Sequence, residues 1–299
     1  MSDARKESGN SGNSKIKDVI ISMRPRQWTK NGFVFAGLIF SKSFFNVDAI
    51  LRVILAFFLF SLVSGALYII NDVIDREKDL HHPVKCKRPI ASGRIHIAGA
   101  MITALLIIVV SLSASFYLDV KLFSILLAYS VLVFAYSIKL KNIVILDVII
   151  LSMGFVLRTA GGAVVIGVWI SPWLILCTTL LALFLALIKR KNELRVLADG
   201  AANHRKILQE YSPELIDRML SVVTSTTLMS YSLYTFSAGK SSYMMLTIPF
   251  VLYGIFRYQY LTSARDMGGS PELVLLQDKP LLIDIVLWAA ACVVIVGFF

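Results

Sequence analysis

Apolar runs about as long as a bilayer is thick alternate with short polar segments along most of this chain. A membrane-crossing helix needs about 20 mostly apolar residues. Nine stretches approach that, at residues 32–45, 51–72, 97–116, 120–138, 143–166, 171–189, 214–237, 243–261 and 281–298. The first is short and interrupted by Lys42. The stretch before it, 1–23, is polar and has no apolar centre, which predicts a disordered tail rather than a signal peptide. Residues 24–299 are then a single transmembrane domain, and the expected fold is an all-α, polytopic membrane protein.

Composition agrees. Of the 299 residues, 57% are hydrophobic and 16% charged, and the mean hydropathy is +0.74, too apolar for a soluble domain of this length. The formal net charge of +11 raises nucleic acid as a partner, but the distribution of the charges argues against it. With the N-terminus inside, the segments 1–31, 73–96, 139–142, 190–213 and 262–280 hold most of the Lys and Arg, while the opposite side receives Lys42, Arg52, Lys121 and Lys240. That is the positive-inside pattern for nine spans, and an eight-span chain would reverse its later loops. Cys86, Cys177 and Cys292 are scattered, with neither a disulfide framework nor zinc spacing.

Two of the inside segments carry chemistry. In the first, Asn71-Asp72-Val73-Ile74-Asp75-Arg76-Glu77-Lys78-Asp79 closes a long apolar run. On a continuous helix Asp72, Asp75 and Asp79 share one face, which Tyr68 extends inward. A charge run at a helix end is commonly a solvated face. Three carboxylates on a stripe pointing back into an apolar helix instead call for a cation, and a divalent metal carrying a phosphate or diphosphate answers that need. Lys85, Lys87 and Arg88 follow closely and suit a phosphorylated anion, although positive-inside topology alone also accounts for them. The second segment reads Lys189-Arg190-Lys191-Asn192-Glu193. Glu193 is the matching carboxylate, or simply an i,i+4 surface partner of Lys189.

Asp147 and Arg158 fall inside the fifth stretch, where burial of an ionised side chain costs at least ~2.5 kcal/mol and function is the default reading. Separated by about 16 Å along the axis, they do not pair with each other. Asp147 lies near the inner end and faces the candidate site, whereas Arg158 either serves it or pairs with a carboxylate from another helix. Trp28 suits an interface anchor, and Lys30 sits where a lipid phosphate would lie.

NDVIDREKD followed by RPIASGRI, within nine apolar spans, resembles the UbiA-type superfamily of intramembrane prenyltransferases. RPRQWTKN before the first span, YSIKLKNIVILDVIILSMGFVLRTAGG around the fifth and KRKNEL after the sixth are similar to its decaprenyl-phosphate phosphoribosyltransferase branch. The resemblance runs from Arg24 to nearly the end. It implies helices bundled around a cytoplasm-facing cavity in the plasma membrane. It also implies Mg²⁺ held by Asp72, Asp75 and Asp79, with these three as the catalytic set. Lys30, Tyr68, Asn71, Lys85, Lys87, Arg88, Tyr136, Lys139, Asp147, Arg158, Lys189, Arg190 and Glu193 are implied to bind substrate.

The implied reaction moves 5-phosphoribose from phosphoribosyl diphosphate to a polyprenyl phosphate, with diphosphate released, toward a lipid-linked sugar precursor of the cell wall. The wider superfamily carries a second Asp-rich motif after the sixth helix, where this chain has KRKNE. That departure separates it from the alternative, an aromatic prenyltransferase using a prenyl diphosphate. A transporter or lipid-binding protein is the alternative of another class, and the clustering of acidic residues at one face favours an enzyme. A homo-oligomer is compatible with the sequence, and nucleic acid is not an expected partner.

Overall fold

The computed structural model describes residues 15–82, 84–198, 206–237, 241–264, 274 and 277–298. The described residues are helical and contain no strand. Among the described residues eight long helices carry the fold: α1 (Val47–Ile74), α2 (Ile97–Leu118), α3 (Val120–Ile138), α4 (Leu146–Val164), α5 (Pro172–Ala198), α6 (Pro213–Ser237), α7 (Ile248–Ala264) and α8 (Lys279–Phe298). By length and composition α1 to α4, α5 through Arg195, and α8 are apolar enough to cross a membrane. α6 is diluted by Ser and Thr, and α7 is shorter, its expected first turns being a 3₁₀ run, Ser242–Thr247.

Caps mark the boundaries. The Asn46 side chain accepts from the amides of Asp48 (2.9 Å) and Ala49 (3.3 Å) at the start of α1. Asp119 accepts from those of Lys121 (2.7 Å) and Leu122 (2.9 Å), so α2 turns into α3 through one residue. The apolar faces divide between two solvents. Val53, Phe60, Val63, Leu67, Leu122 and Leu126 form one interior, and Phe184, Leu187, Ile255 and Leu281 another. Ile102, Leu105, Leu106, Val109 and Val110 line the outer side of α2, exposed in the isolated chain, as lipid-facing residues are.

Three expectations are corrected. The stretch at 32–45 is not a regular span. A 3₁₀ run, Pro25–Phe35, passes into the short helix Ala36–Phe40, and this irregular backbone is tolerated because protein covers it. A Cβ on Gly162 of α4 would lie 1.8 Å from the Val34 carbonyl oxygen, so the run is packed backbone against backbone. The expected tail is helical over 15–22, while residues 1–14 lie outside the described part. Met23 is buried against Gly65, and the Asp18 carboxylate, also buried, pairs with Arg94 at 3.0 Å. Finally, Lys189 to Arg195 form the last turns of α5 rather than a loop, since Lys, Arg and Glu are good helix formers and Arg190 is buried there.

Candidate active site

The acidic motif does not lie on one continuous helix. α1 stops at Ile74, Asp75 sits outside the helical region at φ −89°, ψ 5°, and Arg76–Leu80 is a separate short helix. The expected i, i+3, i+7 stripe is therefore broken at its middle member. Asp72 and Asp79, both buried, are brought together by one guanidinium: Arg88 Nη1 donates to Asp72 Oδ1 at 3.0 Å and to Asp79 Oδ2 at 2.6 Å. Arg24 Nη2 donates to the same Asp72 oxygen, and its guanidinium stacks over Tyr68, 4.9 Å from the ring centroid. Asp75 turns elsewhere. It accepts from Lys141 Nζ at 2.9 and 3.0 Å and from Asn71 Nδ2 at 3.1 Å.

A second cluster lies at the same end of the bundle, where α3 and α5 finish and α4 begins. Arg190 is buried and forks over three partners: Nε to Asp147 Oδ2 (2.6 Å), Nη1 to Glu193, and Nη2 to the Tyr136 hydroxyl (3.4 Å). The other Asp147 oxygen accepts from the Tyr211 hydroxyl at 2.7 Å. That hydroxyl in turn accepts from the Ile145 amide at 2.7 Å. Burial, and then the hydrogen bond it gives Asp147, push the Tyr211 hydroxyl above the usual tyrosine range, so it stays a donor at neutral pH. Ile145 has φ +67°, a strained value for a β-branched residue. The short segment from Lys141 to Asp147 thus joins the clusters, with Lys141 on Asp75 and Asp147 on Arg190.

Among the expected site residues, Asn71, Asp72, Asp75, Asp79, Arg88 and Tyr68 meet in the first cluster, and Tyr136, Asp147, Arg190 and Glu193 in the second. Glu193 pairs with Arg190 at i,i+3. Lys189 is half-buried beside Arg190, and Lys30 donates to Gln27. Lys85, Lys87 and Lys139 are exposed, and the basic residue of the 139–142 turn that reaches a carboxylate is Lys141.

Among the described residues, Arg158 takes no carboxylate partner. Asn31 Oδ1 (2.6 Å), the Gly154 carbonyl (2.8 Å) and the Tyr129 hydroxyl (2.6 Å) accept from it, and its guanidinium lies 4.6 Å from the Tyr129 ring centroid. It ties the 3₁₀ run to α3 and α4, deeper than the clusters. Residues missed from sequence are Arg24, Lys141 and Tyr211. A cavity of about 450 Å³ at the opposite end, lined by Phe40, Trp173 and Tyr234, shares no residue with either cluster.

Among the described residues, no three His, Cys, Asp or Glu side chains stand close enough to hold a metal by themselves. Asp72 and Asp79 meet on Arg88 while Asp75 pairs with Lys141, so each of the three expected ligands already holds a cation from the chain. The donors present, Asp72, Asp79, Asp75 and the Asn71 amide, are hard oxygens. They suit Mg²⁺, which takes one or two protein carboxylates and completes its shell with water and substrate phosphate. The fit is to a metal that arrives with its phosphorylated ligand.

The model of the UbiA prenyltransferase family matches residues 32–274. The decaprenyl-phosphate phosphoribosyltransferase of Corynebacterium glutamicum is 32% identical over 288 residues, covering 93% of this chain and 86% of that protein. The decaprenyl-phosphate phosphoribosyltransferase of Mycolicibacterium smegmatis is 30% identical over 289 residues, covering 91% of this chain and 90% of that one. Among solved structures, a UbiA homologue from Archaeoglobus fulgidus bound to GPP and Mg²⁺ superposes with a TM-score of 0.71 at 18% identity, covering 94% of this chain and 99% of that one. At that identity the likeness is one of fold.

Proposed function

The chain belongs to the UbiA prenyltransferase family, and from that premise we propose that it transfers 5-phosphoribose from phosphoribosyl diphosphate to a polyprenyl phosphate and releases diphosphate. The observation that carries this reading is the 32% identity, spread over 93% of the chain, to a decaprenyl-phosphate phosphoribosyltransferase. The Arg190–Asp147–Glu193 cluster supports it, because it stands where prenyl-diphosphate enzymes of the superfamily are expected to carry a second Asp-rich motif. The motif ends α1 and the clusters share one end of the bundle, which we read as the cytoplasmic end because the Lys- and Arg-rich segments lie there.

The reaction breaks the bond between ribose C1 and the diphosphate oxygen. Asp72 and Asp79, with Asp75 and Asn71 beside them, would hold Mg²⁺, which would supply charge neutralisation to the departing diphosphate. Arg24 and Arg88 present guanidinium groups beside those carboxylates, suited to bidentate contact with phosphate oxygens. Arg190, with both flanking carboxylates fixed, orients the sugar side of the site. The acceptor is a phosphate monoester oxygen, anionic near neutral pH, so the chain needs no general base and its side chains position and neutralise. The lipid tail lies among the apolar helix faces while its phosphate meets the ribose at headgroup depth.

Purified protein in nanodiscs, given polyprenyl phosphate, phosphoribosyl diphosphate and Mg²⁺, should form the phosphoribosylated lipid. An Asp75→Asn variant should lose turnover while remaining folded and monodisperse. No product from folded wild-type protein, beside an active relative as control, would overturn the assignment.

A further inference from the structure

Three cations from three separate segments end on the three carboxylates of the acidic motif: Arg24 on Asp72, Arg88 on Asp72 and Asp79, and Lys141 on Asp75. The layering is asymmetric. The side chains of Asp72 and Asp79 are 3% and 5% exposed, whereas the arginines above them are 27% and 26% exposed. A ligand approaching from water meets Arg24 and Arg88 before it meets a carboxylate. Lys141 and Asp75 are covered together, at 6% and 17% exposure. Three charges of each sign make the set neutral as it stands.

We propose that Arg24, Arg88 and Lys141 are exchangeable counter-ions, which leave the carboxylates to a metal only as the phosphate oxygens of the donor take the cations. This rests on the phosphoribosyl diphosphate reading above and deepens it. Metal alone must strip two half-buried arginines and a buried lysine of their anions. Diphosphate alone must do the reverse to the carboxylates, and each route leaves buried charge unpaired. When the two arrive together every charge finishes paired. Arg24 keeps a place for its guanidinium after releasing Asp72, because it already lies over Tyr68. The consequence is that metal and donor enter as a unit, and the site does not fill with free Mg²⁺.

The test uses full-length protein in nanodiscs with Mn²⁺ as an EPR-visible metal, titrated alone and with saturating phosphoribosyl diphosphate. In the wild type, the donor should tighten Mn²⁺ on the order of 100-fold, and by reciprocity Mn²⁺ should tighten the donor by the same factor. Lys141→Met frees Asp75, so Mn²⁺ alone should bind about tenfold more tightly and the coupling factor should fall correspondingly. Arg24→Gln, which leaves Arg88 on Asp72 to preserve the fold, should move both quantities the same way. Wild-type Mn²⁺ affinity unaffected by donor overturns the exchange, as do folded variants that bind Mn²⁺ alone no better than wild type. Uncoupled binding with normal product formation overturns the exchange alone. A folded protein that binds no donor and makes no product overturns the functional reading beneath it as well.

Discussion

Tyr211 is the residue whose removal most directly tests how the two clusters are joined. Tyr211→Phe deletes one oxygen and little volume from a side chain that is 4% exposed. Two hydrogen bonds go with it, the donation to Asp147 (2.7 Å) and the acceptance from the Ile145 amide (2.7 Å). A hydrogen bond to a buried carboxylate contributes about 1.5–3 kcal/mol. The Ile145 amide belongs to a half-exposed segment where water partly replaces the lost acceptor, so its orphaning sits near the low end of about 1–3 kcal/mol. Together the change costs about 2–4 kcal/mol.

The same contact also holds Ile145 at φ +67°, a conformation costing of order 1–3 kcal/mol. Without its anchor the segment relaxes, Lys141 withdraws from Asp75, and the Michaelis constant for the donor rises about tenfold per 1.4 kcal/mol lost. The assay pairs melting at one fixed scan rate with donor kinetics, because membrane proteins unfold irreversibly. Adding Ile145→Gly, which adopts positive φ without strain, should restore donor affinity in the Tyr211→Phe background. A Tyr211→Phe protein with wild-type melting and kinetics, or a double variant with no recovery, refutes this account of the segment.

Gly162→Ala should cost more than about 3 kcal/mol or abolish folding, as the new methyl meets the Val34 backbone at 1.8 Å; loss of monodisperse protein on size exclusion reads it. Arg158→Leu leaves Asn31 and Tyr129 without their donor and should lower stability by about 2–4 kcal/mol in a thermal melt, with Arg158→Lys a poor rescue because ammonium lacks the fork. Lys139→Ala, on an exposed side chain, should stay within about 0.5 kcal/mol of wild type in stability, whereas Lys141→Ala should raise the donor Michaelis constant severalfold. Chelation of divalent metal should stop transfer and leave the melting temperature unchanged, since Asp72, Asp75 and Asp79 already have cationic partners from the chain itself.

Local pattern accounts for much of what could be read from sequence. Helix length depends on neighbouring residues, so eight of the nine expected spans coincide with helical segments among the described residues, and the acidic motif falls at the end of α1 as expected. The remaining stretch, 32–45, is irregular for a local reason too: Gly32 lies at its start, Lys42 interrupts it, and it is already short of a bilayer. What was invisible is long-range. One of the two cations on Asp72 is 48 residues away, the lysine on Asp75 66 residues away, and the hydroxyl on Asp147 64 residues away. No periodicity distinguishes Lys141 from Lys139, or Tyr211 from the other tyrosines. Arg24 and Lys141 look like ordinary positive-inside residues until the fold sets them against carboxylates. The break at Asp75 was missed because four of the next five residues, Arg76, Glu77, Lys78 and Leu80, are good helix formers, and a helix reads through them on propensity alone.

The charge arrangement also bears on why the acidic motif has no acidic counterpart. A site that binds only a diphosphate ester can balance it with metal held between two acidic motifs. A donor that also carries a 5-phosphate brings about two further negative charges. A second carboxylate cluster with no cation between its members would repel them. In this chain the second cluster is centred on Arg190, with Asp147 and Glu193 clamping the guanidinium rather than reaching for metal. Carboxylates used this way fix a cation in place, and they surrender no ligand to the metal. The clamp predicts its own asymmetry under mutation. Glu193, at 25% side-chain exposure, should be replaceable by Gln with a partial loss of donor affinity, while Asp147, fully buried and also holding Tyr211, should tolerate no substitution that leaves Arg190 unpaired.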